Sequence, residues 1–561
     1  MAEYAVKRGA SGVVTISIIL LVVEQRAHRA PCGFEPECPS YREKLTLRQR
    51  VSANQQYWDT CDSDDETDWR SCCARKDRST LKYIESWWRM MNLEQFQWNP
   101  PEMWRQSVDA ALQPELENFL HKIVVVDDDP TGTQTVHDIP VFTDWEEESL
   151  LRGLTGPDPM FYILTNSRSF SSERTKREHE LLARRLERAA RKAGVPYLLI
   201  SRGDSTLRGH YPIETQTLKE TLESCGAGPF DGEIIIPFFP EGNRYTIENI
   251  HYIAQNNELL PVGESEFAKD PTFGYHESDL RRWIEEKTGG EYRAEEVICF
   301  SLTELRAADY DRMLNKLERV SGFGKVVVNA VSYWDLRSFA VAVMRSIKAG
   351  KKFLFRTAAA FPKVIAGIPD KPLLGRSELI EEGNCNGGLI VVGSHVAKTT
   401  RQVEKLVNCC AVRTVTFNQH LAVDPGALER EVERALKECT DSIAAGKTTV
   451  LMTRRERIDL NTGNKEDELA LARRISDALS EIVAKLEVRP AYLVAKGGIT
   501  SSDIGTKGLG VKKAIVAGQI LPGVPVWKLG KESRFENLSY IIFPGNVGDD
   551  LALKQIVELL S

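Results

Sequence analysis

HKIVVVDDDPTGTQTVHDIPVF, residues 121–142, decides how the rest of the chain is organised. The β-branched run 123–126 has no helical spacing and predicts a buried strand. This strand leads directly into three carboxylates at 127–129, and Pro130 and Gly132 then predict a turn. An open α/β sheet presents polar residues in this way, at the carboxyl edge of its parallel strands.

The three adjacent carboxylates need an explanation because like charges repel one another. A cation, a set of arginine partners, or a substrate hydroxyl that one of them deprotonates would relieve this repulsion. The hydroxyls of Thr131, Thr133 and Thr135 add polar groups to the same turn. A solvated acidic turn without a function is the alternative, and this stretch alone does not exclude it.

The length and composition are those of an ordinary globular protein. The chain has 561 residues, which favours about two to four domains. Hydrophobic residues make up 42% and charged residues 27%, and the net charge is −7, so we expect neither nucleic acid nor an anionic membrane as a partner. The 11 cysteines include no C-x-x-C pair, which argues against a zinc ribbon and favours a reducing cytosol.

Residues 1–105 differ from the rest in their sequence pattern, because they show no alternation of predicted strands and helices. We interpret them as a poorly ordered or non-core N-terminal extension, with a partner-binding arm built on Trp87 and Trp88 as the alternative. The apolar run 13–23 is too short to cross a bilayer, and no cleavage site follows it closely. We therefore expect a cytoplasmic protein without a secretory leader.

Strands and helices alternate from about residue 120 onwards, which predicts mainly parallel sheets. The predicted fold class is α/β, with two α/β domains. The first domain is expected at 120–367 and the second at 388–561. The stretch 368–387, rich in Pro, Gly, Asn and Glu, is the predicted linker.

The polar loops of the first domain mix acids with cations. Three of these loops follow predicted strands: DDDPTGTQT (127–135), TNSRSFSSE (165–173) and SRGDSTLRG (201–209). Four arginines lie beside the strand ends: Arg168, Arg202, Arg208 and Arg244. An arginine can hold a carboxylate through two hydrogen bonds, and an aspartate can accept a proton from a hydroxyl or hold Mg²⁺. This combination suits a small hydroxylated acid, whereas mutual pairing of the acids and arginines is the alternative.

The second domain carries a pronounced glycine-rich loop, KGGITSSDIG at 496–505. Its glycines at 497–498 allow backbone N–H groups to approach a phosphate, and the hydroxyls at 500–502 add further donors. Gly-Ser at 393–394 and GNVG at 545–548 repeat the arrangement after two other predicted strands. The repetition favours a nucleotide-phosphate cradle over turns that serve geometry alone.

Familiar motifs of other enzyme classes are missing from the sequence. AAGKTT at 444–449 resembles the end of a P-loop, but Asp441 stands where the first glycine should be. No G-x-G-x-x-G follows a strand and no G-x-S-x-G occurs, which argues against a dinucleotide fold and a typical α/β-hydrolase. His137, His210 and His395 are more typical of hydrogen-bonding partners than of metal ligands, because no second His or Cys stands at ligand spacing.

These motifs resemble those of the four-carbon acid sugar kinase family, in the same order and over roughly residues 120–561. The N-terminal motifs are DDDPTGTQTVHD, TNSRS, RGDSTLRGH and FFPEGNRYT, and the C-terminal motifs are GSH, KGGITSSDI, GQILPGVPVW and FPGNVGDD. The resemblance implies an ATP-dependent kinase that phosphorylates the terminal hydroxyl of a four-carbon acid sugar of the threonate, erythronate or 3-oxo-tetronate type. It also implies that the N-terminal domain binds the acid sugar, that the C-terminal domain binds the nucleotide, and that both ligands meet in the cleft between them.

The resemblance also implies roles for individual residues and cofactors. The implied catalytic residues are Asp128, Asp129 and Asp204, with Asp128 or Asp129 as the base. The implied substrate-binding residues are Thr131, Gly132, Ser167, Arg168, Ser205 and Arg208. The implied nucleotide-binding residues are Ser394, Gly498, Ile499, Thr500, Ser501 and Gly545. ATP and Mg²⁺ are the expected cofactors, and no ligand of the metal is assigned.

Two positions depart from the usual pattern of the family. Pro130 stands where Phe is often found, and His395 follows the Gly-Ser pair where many members have a small residue or Cys. Neither change removes a charged group that the chemistry needs. A non-catalytic sugar-acid or nucleotide sensor on the same fold is one alternative function, and an enzyme of another class with the same phosphate loops is the other. The sequence does not decide which acid sugar is used, nor between a monomer and a homodimer.

Overall fold

A computed structural model describes residues 93–96, 99–255, 258–393, 395–456, 458, 465–545 and 547–561. Most of the predicted N-terminal extension, including Trp87 and Trp88, lies outside the described residues. All described residues belong to one compact unit, Glu85–Ser561. None of the helices in the described ranges is both long and apolar enough to cross a membrane.

Strands and helices alternate along the described chain. The strands are β1 (Lys122–Asp127), β2 (Ile139–Phe142), β3 (Met160–Leu164), β4 (Tyr197–Arg202), β5 (Gly232–Ile236), β6 (Arg244–Ile247), β7 (Ile250–Gln255), β8 (Glu258–Pro261), β9 (Ile298–Phe300), β10 (Gly324–Val328), β11 (Phe353–Thr357), β12 (Leu389–Val392), β13 (Arg413–Phe417), β14 (Thr449–Thr453), β15 (Leu493–Lys496), β16 (Lys513–Leu521), β17 (Val524–Leu529) and β18 (Ser539–Phe543). The helices are α1 (Glu102–Glu117), α2 (Glu147–Thr155), α3 (Ser172–Ala193), α4 (Ile213–Ser224), α5 (Leu280–Lys287), α6 (Leu302–Ala307), α7 (Tyr310–Glu318), α8 (Tyr333–Lys348), α9 (Ala360–Ile365), α10 (Arg376–Leu379), α11 (Ala397–Cys409), α12 (Pro425–Ala444), α13 (Lys465–Lys485), α14 (Gly498–Asp503) and α15 (Ala552–Leu560).

A single 15-stranded sheet runs through both halves of the chain, the N-terminal half (residues 120–367) and the C-terminal half (residues 388–561). Its strand order is β13-β14-β12-β15-β18-β17-β16-β2-β3-β1-β4-β11-β5-β10-β9. Most neighbours are parallel, so the predicted α/β fold class is confirmed. The two halves share one sheet because β2 pairs antiparallel with β16. The strands β6, β7 and β8 form a separate antiparallel sheet.

The strand β1 holds a central position, parallel to β3 on one side and to β4 on the other. In this register Asp127 lies opposite Leu164 and Arg202, the last residues of the two neighbouring strands. The three polar loops that follow these strands therefore begin level with one another, at one edge of the sheet.

Local signals in the sequence set both ends of α3. The Ser171 side chain accepts a hydrogen bond from the Arg174 N–H, which caps the first turn of α3. Gly194 ends the same helix with a φ of 64°, a conformation that favours glycine. Leu182 and Leu186 on its inner face are fully buried against the sheet.

Two stretches have a local structure that their sequence does not make obvious. The stretch 302–318 forms two helices, α6 and α7, because Ala308 adopts a φ of 51° that interrupts the helix. The motif GQILPGVPVWKLG at 518–530 falls in an antiparallel hairpin of β16 and β17, whose turn contains Pro522 and Gly523. Tertiary pairing thus gives strand structure to a motif whose alternation in sequence is weak.

The helix α1 begins inside the stretch that the sequence assigns to the N-terminal extension. It packs against α8, where the rings of Trp104 and Trp334 lie 6.2 Å apart. An ion pair of 2.6 Å joins Asp109 to Arg337. Residues just before the predicted first domain therefore contribute to its packing.

A buried ion pair joins β5 and β10. Lys325 Nζ lies 2.7 Å from Glu233 Oε2, and the two residues stand opposite each other in the register. Both side chains are almost completely buried, and the Tyr211 hydroxyl donates to the same carboxylate at 3.1 Å. A charge left in such a place without its partner costs about 3–5 kcal/mol.

We expect Lys325→Met to lower the free energy of unfolding by about 3–5 kcal/mol, because it leaves Glu233 buried and unpaired. Urea denaturation measures the effect. Arg152→Met is the matched control, since it removes an ion pair with Glu148 whose side chains are 64% and 76% exposed. That control should cost less than about 1 kcal/mol. Equal, small effects of the two variants would contradict the prediction.

Candidate active site

A cleft of about 1340 Å³ lies between the loops of the two halves. The loops after β1, β3 and β4 line one side of it, and the loops after β12, β15 and β18 line the other. Pockets for one small ligand usually measure about 300–1,000 Å³. The cleft therefore has room for two ligands side by side.

Two arginines neutralise most of the charge of the acidic turn. Arg168 donates two hydrogen bonds to Asp128, at 3.1 Å and 2.6 Å, and one to Asp129 Oδ2 at 3.3 Å. Arg202 Nη1 lies 3.2 Å from Asp127 Oδ1 and 3.5 Å from Asp128 Oδ1. The repulsion that the sequence raises is thus relieved by arginine partners.

The three carboxylates of this turn differ in their access to the cleft. Burial raises the pKa of Asp127 to about 8 and also raises the pKa of Asp128, although the arginines oppose the shift. Asp129, by contrast, lines the cleft, and its Oδ1 accepts the Thr131 N–H at 2.9 Å. Of the two residues expected to act as the base, Asp129 is thus the one that a ligand in the cleft can reach.

Asp204 lines the cleft, but neighbouring groups occupy its carboxylate. Its Oδ2 accepts a hydrogen bond from Arg208 Nε at 2.6 Å and another from the Thr206 hydroxyl. Burial alone would raise the pKa of Asp204, but the charges of Arg208 and Arg168 lower it well below its ordinary value. A carboxylate that holds its charge so firmly is a poor proton acceptor. Its contacts suit the positioning of Arg208.

The predicted substrate-binding residues fall into two groups. Those that line the cleft are Thr131, Arg168, Ser205 and Arg208. Gly132 and Ser167 lie behind it. A Cβ atom at Gly132 would stand 1.9 Å from Asp127 Oδ2, so this glycine permits the tight turn. The fully buried Ser167 donates to Glu214 Oε1 at 2.7 Å and thereby supports the second loop.

The predicted nucleotide-binding residues divide in the same way. Those that line the cleft are Gly498, Ile499, Thr500 and Gly545. Ser501 is buried, and its hydroxyl donates to the Ala495 carbonyl at 2.9 Å. Ser394 lies outside the described residues. The first turn of α14 therefore faces the cleft, whereas Ser501 lies behind it.

The two halves of the site meet at Asp129 and Gly498. A Cβ atom on Gly498 would lie 2.3 Å from Asp129 Oδ2, so only glycine lets the start of α14 approach this carboxylate so closely. Two further contacts fix the same turn to the C-terminal half. Trp527 Nε1 donates to Thr133 Oγ1 at 2.9 Å, and Gln134 Nε2 donates to the Gly523 carbonyl at 2.9 Å.

Sequence reasoning missed several residues of the cleft. The helix α13 supplies an apolar wall with Ala472, Ile475 and Leu479. Lys398 lies in the first turn of α11, and Asp549 lies in the loop between β18 and α15. The helical spacing of the first group was visible in the sequence, but it indicates core packing as readily as a ligand wall.

Lys496 joins two of the glycine-rich loops from a buried position. Its Nζ donates to the Pro544 carbonyl at 2.6 Å and lies 3.7 Å from the centre of the Phe543 ring. Burial, and to a lesser degree the charge of Lys398, lowers the pKa of Lys496 to about 7. The folded protein therefore holds this lysine in neutral form at mildly alkaline pH.

We expect the stability of the wild-type protein to rise with pH above about 7, relative to that of Lys496→Met. The unfolded lysine keeps its proton up to its ordinary pKa of 10.5, whereas the folded one loses it above about 7. The unfolded state then binds more protons, so the unfolding free energy rises by roughly 1 kcal/mol per pH unit in this window. Urea denaturation of both proteins across this range measures the difference. Parallel pH profiles would contradict the prediction.

Comparisons with known proteins match two family models to successive parts of the chain. A family model of a sugar-binding N-terminal domain matches residues 123–365, and one of a nucleotide-binding C-terminal domain matches residues 389–553. A D-erythronate kinase of Heliobacterium modesticaldum is 23% identical over 336 residues, which cover 58% of this chain and 69% of that kinase.

Solved structures resemble the chain at low sequence identity. The crystal structure of a proposed tRNA synthase from Salmonella typhimurium LT2 is 18% identical, with a TM-score of 0.55 over 77% of this chain and 98% of that one. A Haemophilus influenzae protein is 17% identical, with a TM-score of 0.48 over 78% of this chain and 100% of that one. At such identities the first likeness concerns the fold and not the reaction.

Proposed function

The chain belongs to the four-carbon acid sugar kinase family, and we propose that it transfers a phosphoryl group from ATP to the terminal hydroxyl of a four-carbon acid sugar. The observation that supports this most directly is the close approach of Asp129 and Gly498 in one cleft. A carboxylate from the sugar-binding half there meets a glycine loop from the nucleotide-binding half. The erythronate kinase relative makes erythronate the first acid to test, beside threonate and the 3-oxo-tetronates.

The C-terminal side of the cleft suits ATP. Gly498, Gly545 and Gly548 line it without side chains, so backbone N–H groups can approach phosphate oxygens. Ile475 and Leu479 offer an apolar wall against which a purine can pack. ATP bound in this way supplies the phosphoryl group.

Mg²⁺ is the cation that we expect with the ATP phosphates. In the described ranges, no group of three or more His, Cys, Asp or Glu side chains could form a metal cage. This suits Mg²⁺, which usually takes one or two carboxylates and completes its shell with phosphate oxygens and water. Asp549 lines the nucleotide side and is the carboxylate that would hold it. The ion would neutralise charge on the phosphates.

In the mechanism that we propose, Asp129 orients the terminal hydroxyl of the sugar acid and accepts its proton. The hydroxyl oxygen attacks the terminal phosphorus of ATP in line with the leaving ADP, so one P–O bond forms while another breaks. Arg168 and the Thr131 N–H hold the carboxylate of Asp129 in place. Most of the acceleration comes from positioning the two ligands and neutralising charge.

An ADP-release assay with Mg-ATP tests this function. The panel consists of D- and L-threonate, D- and L-erythronate and their 3-oxo forms. We expect ADP release with at least one of them, together with a phosphorylated acid detected by mass spectrometry. Binding of both ATP and a sugar acid without ADP release would favour the sensor alternative and contradict the kinase.

We also place the protein in the cytoplasm. The cysteines in the described part of the chain are free thiols: Cys225, Cys299, Cys385, Cys409, Cys410 and Cys439. A reducing compartment keeps thiols in this state. Its expected partners are the sugar acid and ATP, with neither nucleic acid nor membrane among them.

A further inference from the structure

The arginines around the cleft differ in one respect, which is whether a carboxylate of the protein already neutralises them. Arg168 and Arg202 are bound to the acidic turn. Arg208 is bound to Asp204 at 2.6 Å and lies 3.7 Å from Asp270. Arg244 also lines the cleft, but its guanidinium forms no hydrogen bond or ion pair with any described residue.

The guanidinium of Arg244 is buried as well as unpaired. The residue is only 7% exposed, and its Nε has no acceptor within the described part of the chain. Burial lowers the pKa of Arg244 to about 10. Lys398 lines the same cleft from the C-terminal half, and burial together with the charge of Arg244 lowers its pKa too. Arg244 thus faces a space in which an anion would be stabilised.

The backbone and neighbouring rings fix the position of Arg244. Its N–H donates to the Phe239 carbonyl at 2.9 Å, and its own carbonyl accepts the Phe239 N–H at 3.0 Å. It pairs with Ile253 in the small sheet. The Phe267 ring lies 5.7 Å from its guanidinium carbon, and a Cβ atom on Gly242 would lie 3.5 Å from Nη1. A ligand that binds this arginine therefore has little side-chain entropy to overcome.

We propose that Arg244 binds the carboxylate of the sugar acid and makes the site select acids over neutral polyols. The identity of the ligand rests on the proposed function. A guanidinium holds a carboxylate through two parallel hydrogen bonds, which a hydroxymethyl group cannot replace. In this proposal Arg168 and Arg208, which the family resemblance implies for the substrate, hold Asp129 and Asp204 in position. Among the described arginines that line the cleft, Arg244 is the one without an ion pair, which matches the single charge of a sugar monoacid.

Calorimetric titration of the full chain tests the proposal without nucleotide. The probes are D-erythronate and D-threonate, each beside its neutral polyol, erythritol or threitol. The wild-type protein should bind one acid at least about 100-fold more tightly than its polyol, because a site built for a charged group rejects a ligand without it. Arg244→Gln should lower the affinity for the acid by about 100-fold and leave the affinity for the polyol unchanged. Arg244→Lys should recover part of the lost affinity.

Arg188→Gln is the matched control, since this arginine lies on α3 with its side chain 67% exposed. It should bind the acid like the wild type. If the Arg244→Gln protein binds the acid with normal affinity, the proposal is overturned. An equal loss of affinity for acid and polyol also overturns it, because that would indicate a structural role. If the acid binds through Arg244 but Mg-ATP yields no ADP, the proposed kinase function is contradicted and the carboxylate-binding role of Arg244 is supported. If the wild type binds no acid of the panel, both fail.

Discussion

Asp129→Asn is expected to lower kcat for phosphoryl transfer by about 10²–10⁴-fold, the usual contribution of a general base. Asparagine has the same shape and keeps an oxygen to accept the Thr131 N–H, so the turn should stay intact. It cannot, however, accept the proton of the sugar hydroxyl. The KM for ATP should change little, because the ATP-binding loops belong to the C-terminal half. Steady-state ADP release measures both constants.

Two further variants make this result specific. Asp311→Asn carries the same change on the exposed surface of α7 and should leave kcat unchanged. Asp128→Asn separates the two residues that the sequence proposed as base. Because Asp128 lies behind the cleft in a two-point contact with Arg168, its loss should lower thermal stability as well as turnover. An inactive, stably folded Asp128→Asn protein beside an active Asp129→Asn protein would assign the base to Asp128.

Gly498→Ala is expected to lower kcat/KM by about 10²-fold or more, since small misplacements of reacting groups have effects of this size. The added methyl group would stand 2.3 Å from Asp129 Oδ2, well inside van der Waals contact. The carboxylate is held by the Thr131 N–H and by Arg168, so it can give way only by leaving its position. The same ADP-release assay measures the loss.

A double-mutant cycle tests whether the effect of Gly498→Ala passes through Asp129. In an Asp129→Ala background the methyl group meets no carboxylate, so Gly498→Ala should have little further effect. Gly426→Ala is the control, because it makes the same change in the first turn of α12, where the nearest atom is Asp424 Oδ1 at 3.6 Å. Independent losses from the two substitutions would contradict a direct contact.

Several features of the fold follow from short stretches of sequence. The β-branched run before the acidic turn predicts β1, and the Ser171 cap with Gly194 sets the ends of α3. Polar loops that follow successive predicted parallel strands were enough to predict an α/β fold. They also predicted that the candidate residues lie at one edge of the sheet. These features depend on local backbone preferences and on hydrophobic spacing, and neighbouring residues in the sequence determine both.

The tertiary structure alone decided which of these residues face the cleft and which lie behind it. Asp129 lines the cleft, whereas its neighbour Asp128 does not. Gly498 lines it too, whereas Ser501 of the same motif does not. Only the fold shows that Arg244 lacks a carboxylate partner among the described residues, because that depends on acids far away in the chain. The joining of both halves into one sheet likewise depends on the pairing of β2 with β16. Packing between distant segments sets the direction of side chains and the long-range pairing of strands, so a local sequence pattern does not predict them.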